Sequence, residues 1–162
     1  SWTSTFGFIP ILANQLGAND VTQSMLMSMN IAVVLFGNLA ATTLIRKMRS
    51  RQLILTGIIF LCSGIFIAAL AHSLLAIFVA QICSGMAIGI SSPILMGKSI
   101  EKVKNEERTT AMGLHQAVYA IGMFSGPWMS GLIADAIGIQ PMFAMTGLMC
   151  LIFGVIGVRK LE

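Results

Sequence analysis

Charge is what this 162-residue chain has least of: only 10% of its residues are Asp, Glu, Lys or Arg, against about 25% in soluble domains. So few charges cannot clothe a water-facing globule, which excludes a soluble enzyme, a nucleic-acid-binding module and a disordered tail. Cysteine is equally sparse. Cys62, Cys83 and Cys150 are scattered within apolar runs, a pattern that makes neither a disulfide framework nor a metal-ligand spacing, so no metal and no cofactor is expected. Also missing are a phosphate-cradling glycine loop, a G-x-S-x-G elbow and an H-E-x-x-H pair, and with them the usual signs of an enzyme. What is present is apolar: 56% of residues are hydrophobic and the mean hydropathy is +0.88. A helix that crosses a bilayer needs roughly 20 such residues, so the length allows five or six crossings. The class is an all-α, polytopic membrane protein.

Turn signals divide the chain into six apolar runs. The first, 1–16, is too short for a full crossing and reads as a truncated helix; no basic stretch precedes it, so it is not a signal peptide. Gly17-Ala18-Asn19-Asp20 ends it, and Asp20 with Gln23 reads as a capping box opening the second run, 21–45. Further spans are expected at 53–71, 74–97, 109–134 and 142–158, with Asn105-Glu106-Glu107 as a helix start and a turn over Asp135–Gln140. The whole chain, 1–162, reads as a single transmembrane domain.

All ten Lys and Arg residues fall in three places: Arg46 to Arg51, Lys98 to Arg108, and Arg159-Lys160. These follow the second, fourth and sixth runs, and the intervening turns carry no cation. By the positive-inside rule the three basic segments share the cytoplasmic side. The C-terminus is then cytoplasmic, and the net charge of +4 belongs to topology rather than to a nucleic-acid partner.

No Asp, Glu, Lys or Arg lies within a span, but weaker polar groups do, and at membrane depth these belong in a bundle interior or an aqueous cavity. Gln23, Asn30 and Gly37 recur at spacing seven. Gln81, Gly85, Gly89 and Pro93 recur at spacing four. The fifth run holds His115, Gln116 and Tyr119, followed by Gly122-x3-Gly126-Pro127-x3-Gly131. Helices 1, 2, 4 and 5 are therefore expected around a polar interior, with the blander helices 3 and 6 outside. Each feature has a second reading: Asn30 and Gln81 bond across helices, His115 holds an interhelical hydrogen bond rather than relaying protons, and the glycines pack helices closely. Pro127 removes the donor to the carbonyl of Met123 and bends its helix.

Six helices with a basic loop after the second and a long charged loop after the fourth resemble one half of a major facilitator superfamily (MFS) transporter. Arg46-Lys47-Met48-Arg49-Ser50-Arg51 is similar to that family's basic signature, with Arg46 where an Asp is usual and Arg49 where a glycine is usual. Gly122-x3-Gly126-Pro127-x3-Gly131 resembles the glycine–proline signature of its drug:proton antiporters. Gln81 stands four residues before Gly85, where the N-terminal half of those antiporters carries arginine. The resemblance thus implies a C-terminal six-helix half-bundle, helices 7–12 with helix 7 truncated, and both ends of the half cytoplasmic.

It further implies proton-coupled efflux of a small, drug-like molecule by alternating access, in a bacterial plasma membrane, with the missing N-terminal half on the same polypeptide and the bilayer as partners. Substrate-lining roles are expected for Phe6, Asn30, Gln81, His115, Gln116 and Tyr119. Packing and bending fall to Gly85, Gly89, Gly122, Gly126, Pro127 and Gly131. Arg46, Lys47, Arg49 and Arg51 form a cytoplasmic gate or serve orientation alone. The alternatives are a sugar or metabolite carrier of the same superfamily and a non-transporting membrane scaffold.

Overall fold

The computed structural model describes residues 2–159, with side chains from 7 to 157. Six helices follow one another: α1 (Trp2–Gln15), α2 (Asp20–Leu44), α3 (Ser50–Ala69), α4 (Leu74–Ile100), α5 (Arg108–Ile137) and α6 (Ile139–Arg159). A single 3₁₀ turn over Asn105–Glu107 leads into α5, and no strand occurs among the described residues. α2 to α6 are each long and apolar enough to cross a membrane. The 14 residues of α1 reach about 21 Å at 1.5 Å per residue, short of a hydrocarbon core of about 30 Å.

The helix ends follow local hydrogen-bond chemistry, and two differ from expectation. α2 is capped by Asn19, not Asp20: the Asn19 Oδ1 accepts from the Thr22 N–H at 2.8 Å and from the Thr22 hydroxyl at 2.8 Å. Both residues can cap, but Asn19 is the one with extended backbone, φ −79° and ψ 171°. Asp20 instead takes the first helical position, where its charge meets the positive end of the helix. The turn expected over Asp135–Gln140 shrinks to Gly138. Its φ of 95° lies in the region open to glycine, so the chain reverses there in one residue and α6 starts at once. Ser73 caps α4 through the Ala76 N–H at 3.4 Å, and the Gln52 side chain accepts the Arg49 N–H at 3.1 Å to close the start of α3.

α4 is the hub, lying along α2 on one side and α3 on the other, while α6 lies along α3. α5 is held more lightly, by α6, α1 and α4. The larger apolar core sits where α1 ends and α4 and α6 begin, around Ile9, Leu12, Leu26, Ile65, Ile77, Met142 and Phe143. A smaller one, Leu53, Ile54, Ile90 and Ile94, lies toward the basic end. Helix 3 is therefore not outside: α3 buries Leu53, Gly57, Gly64, Ile65 and Ala68. α5, expected to wall an interior, buries only Ser130 among its residues. Between helices in a bilayer there is little hydrophobic drive, so close approach decides burial more than polarity does.

Candidate functional site

The α2–α4 contact begins with two glycines. A Cβ on Gly89 would stand 2.5 Å from the Val34 carbonyl oxygen and 2.7 Å from the Gly37 Cα, and one on Gly37 would stand 2.9 Å from the Gly89 Cα. No larger residue fits at either place without driving the backbones apart. Gly85, one turn earlier, has Asn30 O and Val33 Cβ each 3.0 Å from where its own Cβ would lie.

This closeness puts the polar residues of the two helices in reach of each other. Asn30 and Gln81 are each 1% exposed. The Asn30 Nδ2 donates to the Gln81 backbone carbonyl at 2.8 Å, to the Gln81 Oε1 at 3.1 Å and, more weakly, to the Ser84 Oγ at 3.4 Å. The Ser84 hydroxyl donates back toward the Gln81 O and Oε1, both at 3.2 Å. One amide nitrogen of this cluster is spare: the Gln81 Nε2, with both its hydrogens, is buried with no acceptor. Ser84 did not stand out in the sequence, although its place three residues after Gln81 puts it on the same helical face.

A second link joins α4 to α5. The Ser99 Oγ lies 2.7 Å from the His115 Nδ1 and 2.9 Å from the Leu95 carbonyl oxygen. A hydroxyl has one proton, so if Ser99 donates to Leu95, His115 donates from Nδ1 and keeps its basic lone pair on Nε2. His115 is thus tied between helices and partly buried. Ser99, like Ser84, was not marked by the sequence.

The remaining candidates lie elsewhere. Gln116 and Tyr119 are exposed, Tyr119 at 47%, and take no part in the Asn30–Gln81 network. They lie on the side of α5 that also carries Gly122, while Val118, Ile121 and Phe124, the last 80% exposed, show on its other sides. A Cβ on Gly122 meets nothing within 4 Å, and one on Gly131 meets only the Phe8 ring at 3.8 Å. α5 continues through Pro127 without a break, and the Ser125 hydroxyl bonds the Ile121 carbonyl at 2.8 Å one turn before it. Arg46, Lys47, Arg49 and Arg51 are exposed at the α2–α3 turn and the start of α3. The side chain of Phe6 lies outside the described residues. Among those described, no group of three His, Cys, Asp or Glu is placed to hold a metal.

At the basic end Lys98 and Glu101 pair at 2.6 Å. That hydrogen bond, and the Lys98 charge behind it, hold the Glu101 carboxyl below its ordinary value.

An uncharacterized MFS-type transporter of Methanocaldococcus jannaschii is 24% identical over 110 residues, which cover 68% of this chain and 28% of the relative. The chain thus spans less than a third of the length of the curated relative it matches. The sequence model of the Major Facilitator Superfamily matches residues 1–161, so this membrane-spanning chain belongs to the major facilitator superfamily of transporters.

Proposed function

We propose that the chain is the C-terminal half, helices 7–12, of a secondary active transporter that expels a small, drug-like molecule in exchange for protons. In this reading its ends and its C-terminus are cytoplasmic, in a bacterial plasma membrane, and the coupling carboxylate belongs to the N-terminal half. The observation that carries it is the exposed side of α5, where Gln116 and Tyr119 are exposed and a Cβ on Gly122 would meet nothing within 4 Å. A polar, glycine-bearing face on a membrane helix is unfavourable against lipid and favourable across a cavity from a second half-bundle.

Roles follow from position. Gln116 and Tyr119, with Phe6 from α1, contact substrate directly through hydrogen bonds and ring stacking. Asn30 and Gln81, buried in the conformation described, set the α2–α4 geometry and hold the spare Gln81 amide in reserve for substrate. His115 ties α5 to α4 behind that surface. Gly85 and Gly89 keep α2 and α4 in contact, while Gly122, Gly126, Pro127 and Gly131 let α5 approach and bend against the other half. The cations at Arg46, Lys47, Arg49 and Arg51 close the cytoplasmic side by pairing across halves.

The test uses the full native polypeptide in proteoliposomes. A fluorescent lipophilic cation should leave against an imposed proton gradient, and a protonophore should stop it. Uptake of a sugar with no effect on the cation would favour the metabolite-carrier reading. An intact native mass near 17.3 kDa, instead of the roughly 40–45 kDa of a two-half transporter, would favour the scaffold.

A further inference from the structure

Two cysteines that lie far apart in the sequence come together in the fold. α3 and α6 pack antiparallel, and two glycines of α6 fix their register. A Cβ on Gly147 would come within 3.2 Å of the Ile65 Cγ2, and one on Gly154 within 2.9 Å of the Ile58 Cγ2. Cys150 stands between those glycines, three residues after the first and four before the second. Cys62 stands between Ile58 and Ile65 in the mirrored spacing, four after the first and three before the second. Steps of three and four stay on one helical face, so the same register sets the two thiols opposite each other. The Cys150 thiol is indeed the neighbour of the Cys62 thiol across the interface. Both are free, Cys62 buried and Cys150 half-buried, near the middle of their helices.

Beside this pair lies a cavity of about 640 Å³, walled by Leu55, Ile59, Cys62, Phe66 and Leu151, with Ser63 as its one hydroxyl. Ile59 and Leu151 are exposed, so the cavity opens on the outer surface of α3 and α6, between apolar side chains. Its volume is that of a ligand pocket. Every Lys and Arg lies at a helix end or in a turn, so none stands mid-span to hold a thiolate. An oxidant that reaches the pair must therefore dissolve in the bilayer and accept protons along with electrons. A lipid-soluble quinone meets both demands. Its flat ring suits an apolar cavity with an aromatic wall, and its carbonyl oxygen accepts from a hydroxyl.

From this juxtaposition we infer that Cys62 and Cys150 form a redox site, which a bilayer quinone seated in the α3–α6 cavity oxidises to a disulfide joining the two helices. The Ser63 hydroxyl donates to a quinone carbonyl. The Cys62 sulfur adds to a ring carbon as its proton passes to one quinone oxygen. The Cys150 sulfur then bonds to the Cys62 sulfur, the carbon–sulfur bond breaks with its electron pair entering the ring, and the second proton goes to the other oxygen. The thiols lose two electrons and two protons, and the quinone leaves as hydroquinone. The site uses neither the α2–α4 network nor the exposed side of α5, and it does not depend on what is transported.

The test uses the full native polypeptide in oxygen-free liposomes with a decyl-chain benzoquinone, fully substituted so that its ring cannot keep the sulfur. Maleimide mass tagging after denaturation counts the thiols, and absorbance counts the hydroquinone. Wild type should lose two thiols and yield one hydroquinone per chain. Cys62→Ala and Cys150→Ala should each abolish both changes. Cys83→Ala, on α4 against Gly64, should react as wild type does. Ser63→Ala should slow the reaction severalfold without changing its end point, and a sulfonated quinone confined to water should react severalfold more slowly than the decyl compound. A wild type that keeps its thiols overturns the inference, as does an equal loss in Cys62→Ala or an equal rate with the two quinones. A disulfide closed by copper–phenanthroline but not by the quinone also overturns it, since the pair would then be a close contact without a ligand site. Should Cys62→Ala fail to insert, Cys150→Ala, at the less buried position, carries the test.

Discussion

α4 and α5 run for 27 and 30 residues, each with an interior proline and glycines four apart. In α4, 44% of the most apolar stretch is buried inside the chain, and in α5 only 6%. The glycines explain the gap. Gly89 lies against the backbone of α2, so that even one carbon would collide with Gly37, while Gly122 faces open space. The glycine stripe of α4 thus meets a close neighbour within the chain, while that of α5 meets almost nothing among the described residues, which in the proposed reading is where a second half closes. Polarity divides the same way: α4 spends Gln81 and Ser84 on an internal network, and α5 leaves Gln116 and Tyr119 uncovered.

The sharpest way to break this comparison is to fill both stripes. Gly89→Leu should cost about 3 kcal/mol or more, because backbone rather than a flexible side chain must move, and should leave little monodisperse protein after solubilisation. Gly122→Leu should keep the melting temperature close to wild type, within about 0.5 kcal/mol, yet abolish transport if a second half closes on α5. Equal melting losses for the two variants would mean that α5 is packed as tightly as α4.

A smaller effect tests the polar network. Asn30→Leu leaves the Gln81 Oε1 and Ser84 Oγ short of a donor, at about 1–2 kcal/mol. Gln116→Leu on α5 should change stability negligibly. In a double-mutant cycle Asn30→Leu with Gln81→Leu should recover part of the single losses, since two apolar residues leave nothing unpaired. Strict additivity would show that the two amides do not interact.

How much of this was legible in the sequence follows from the range of each signal. Spans and the one-sided cations depend on runs of about twenty residues and on counting, so six helices and membrane residence could be read directly. The partnership of Asn30 with Gln81 was one of two readings left open, because a spacing of seven or four fixes the face of a helix but not what faces it. Ser84 and Ser99 were missed since serine is unremarkable until its distance to a second helix is known. Asn19 against Asp20 was undecidable from residue type, both being good caps, and only the extended backbone at Asn19 settles it. The burial of α3 was misjudged because uniform apolarity suits lipid and a tight helix interface equally. The openness of α5 was unreadable for a related reason: glycines four apart and scattered polar groups mark a face for contact without saying whether the chain itself supplies that contact.

The link between the two helices gives a third, weaker test. Ser99→Ala removes the hydroxyl that joins His115 to α4 and should cost roughly 0.5–1 kcal/mol. It should raise amide exchange in the first turns of α5 more than in α4, whose own contacts with α2 and α3 persist. Faster exchange throughout α4 instead would place the weakness in the hub.

The smallest effect lies where the chain leaves α4 for α5. Glu101 is exposed, and its carboxyl is held below the ordinary 4.5, first by the hydrogen bond from Lys98 and then by the Lys98 charge. A carboxyl whose pKa is lower folded than unfolded contributes stability above its unfolded value and loses it as the pH falls through the folded one. The Lys98–Glu101 pair should therefore contribute constantly from pH 6 to 8 and fade below about 4.5. Lys98→Gln should lower the melting temperature slightly at pH 7 and low salt, by less than Ser99→Ala. The difference from wild type should narrow on acidification below 4.5, as the carboxylate is protonated, and in molar salt, because an exposed ion pair is readily screened. A difference that widens on acidification would have the wrong sign for a carboxylate stabilised by its neighbour. It would show that Lys98 anchors the end of α4 through its alkyl stem, and that the end of the better-packed helix is held by apolar contact rather than by charge.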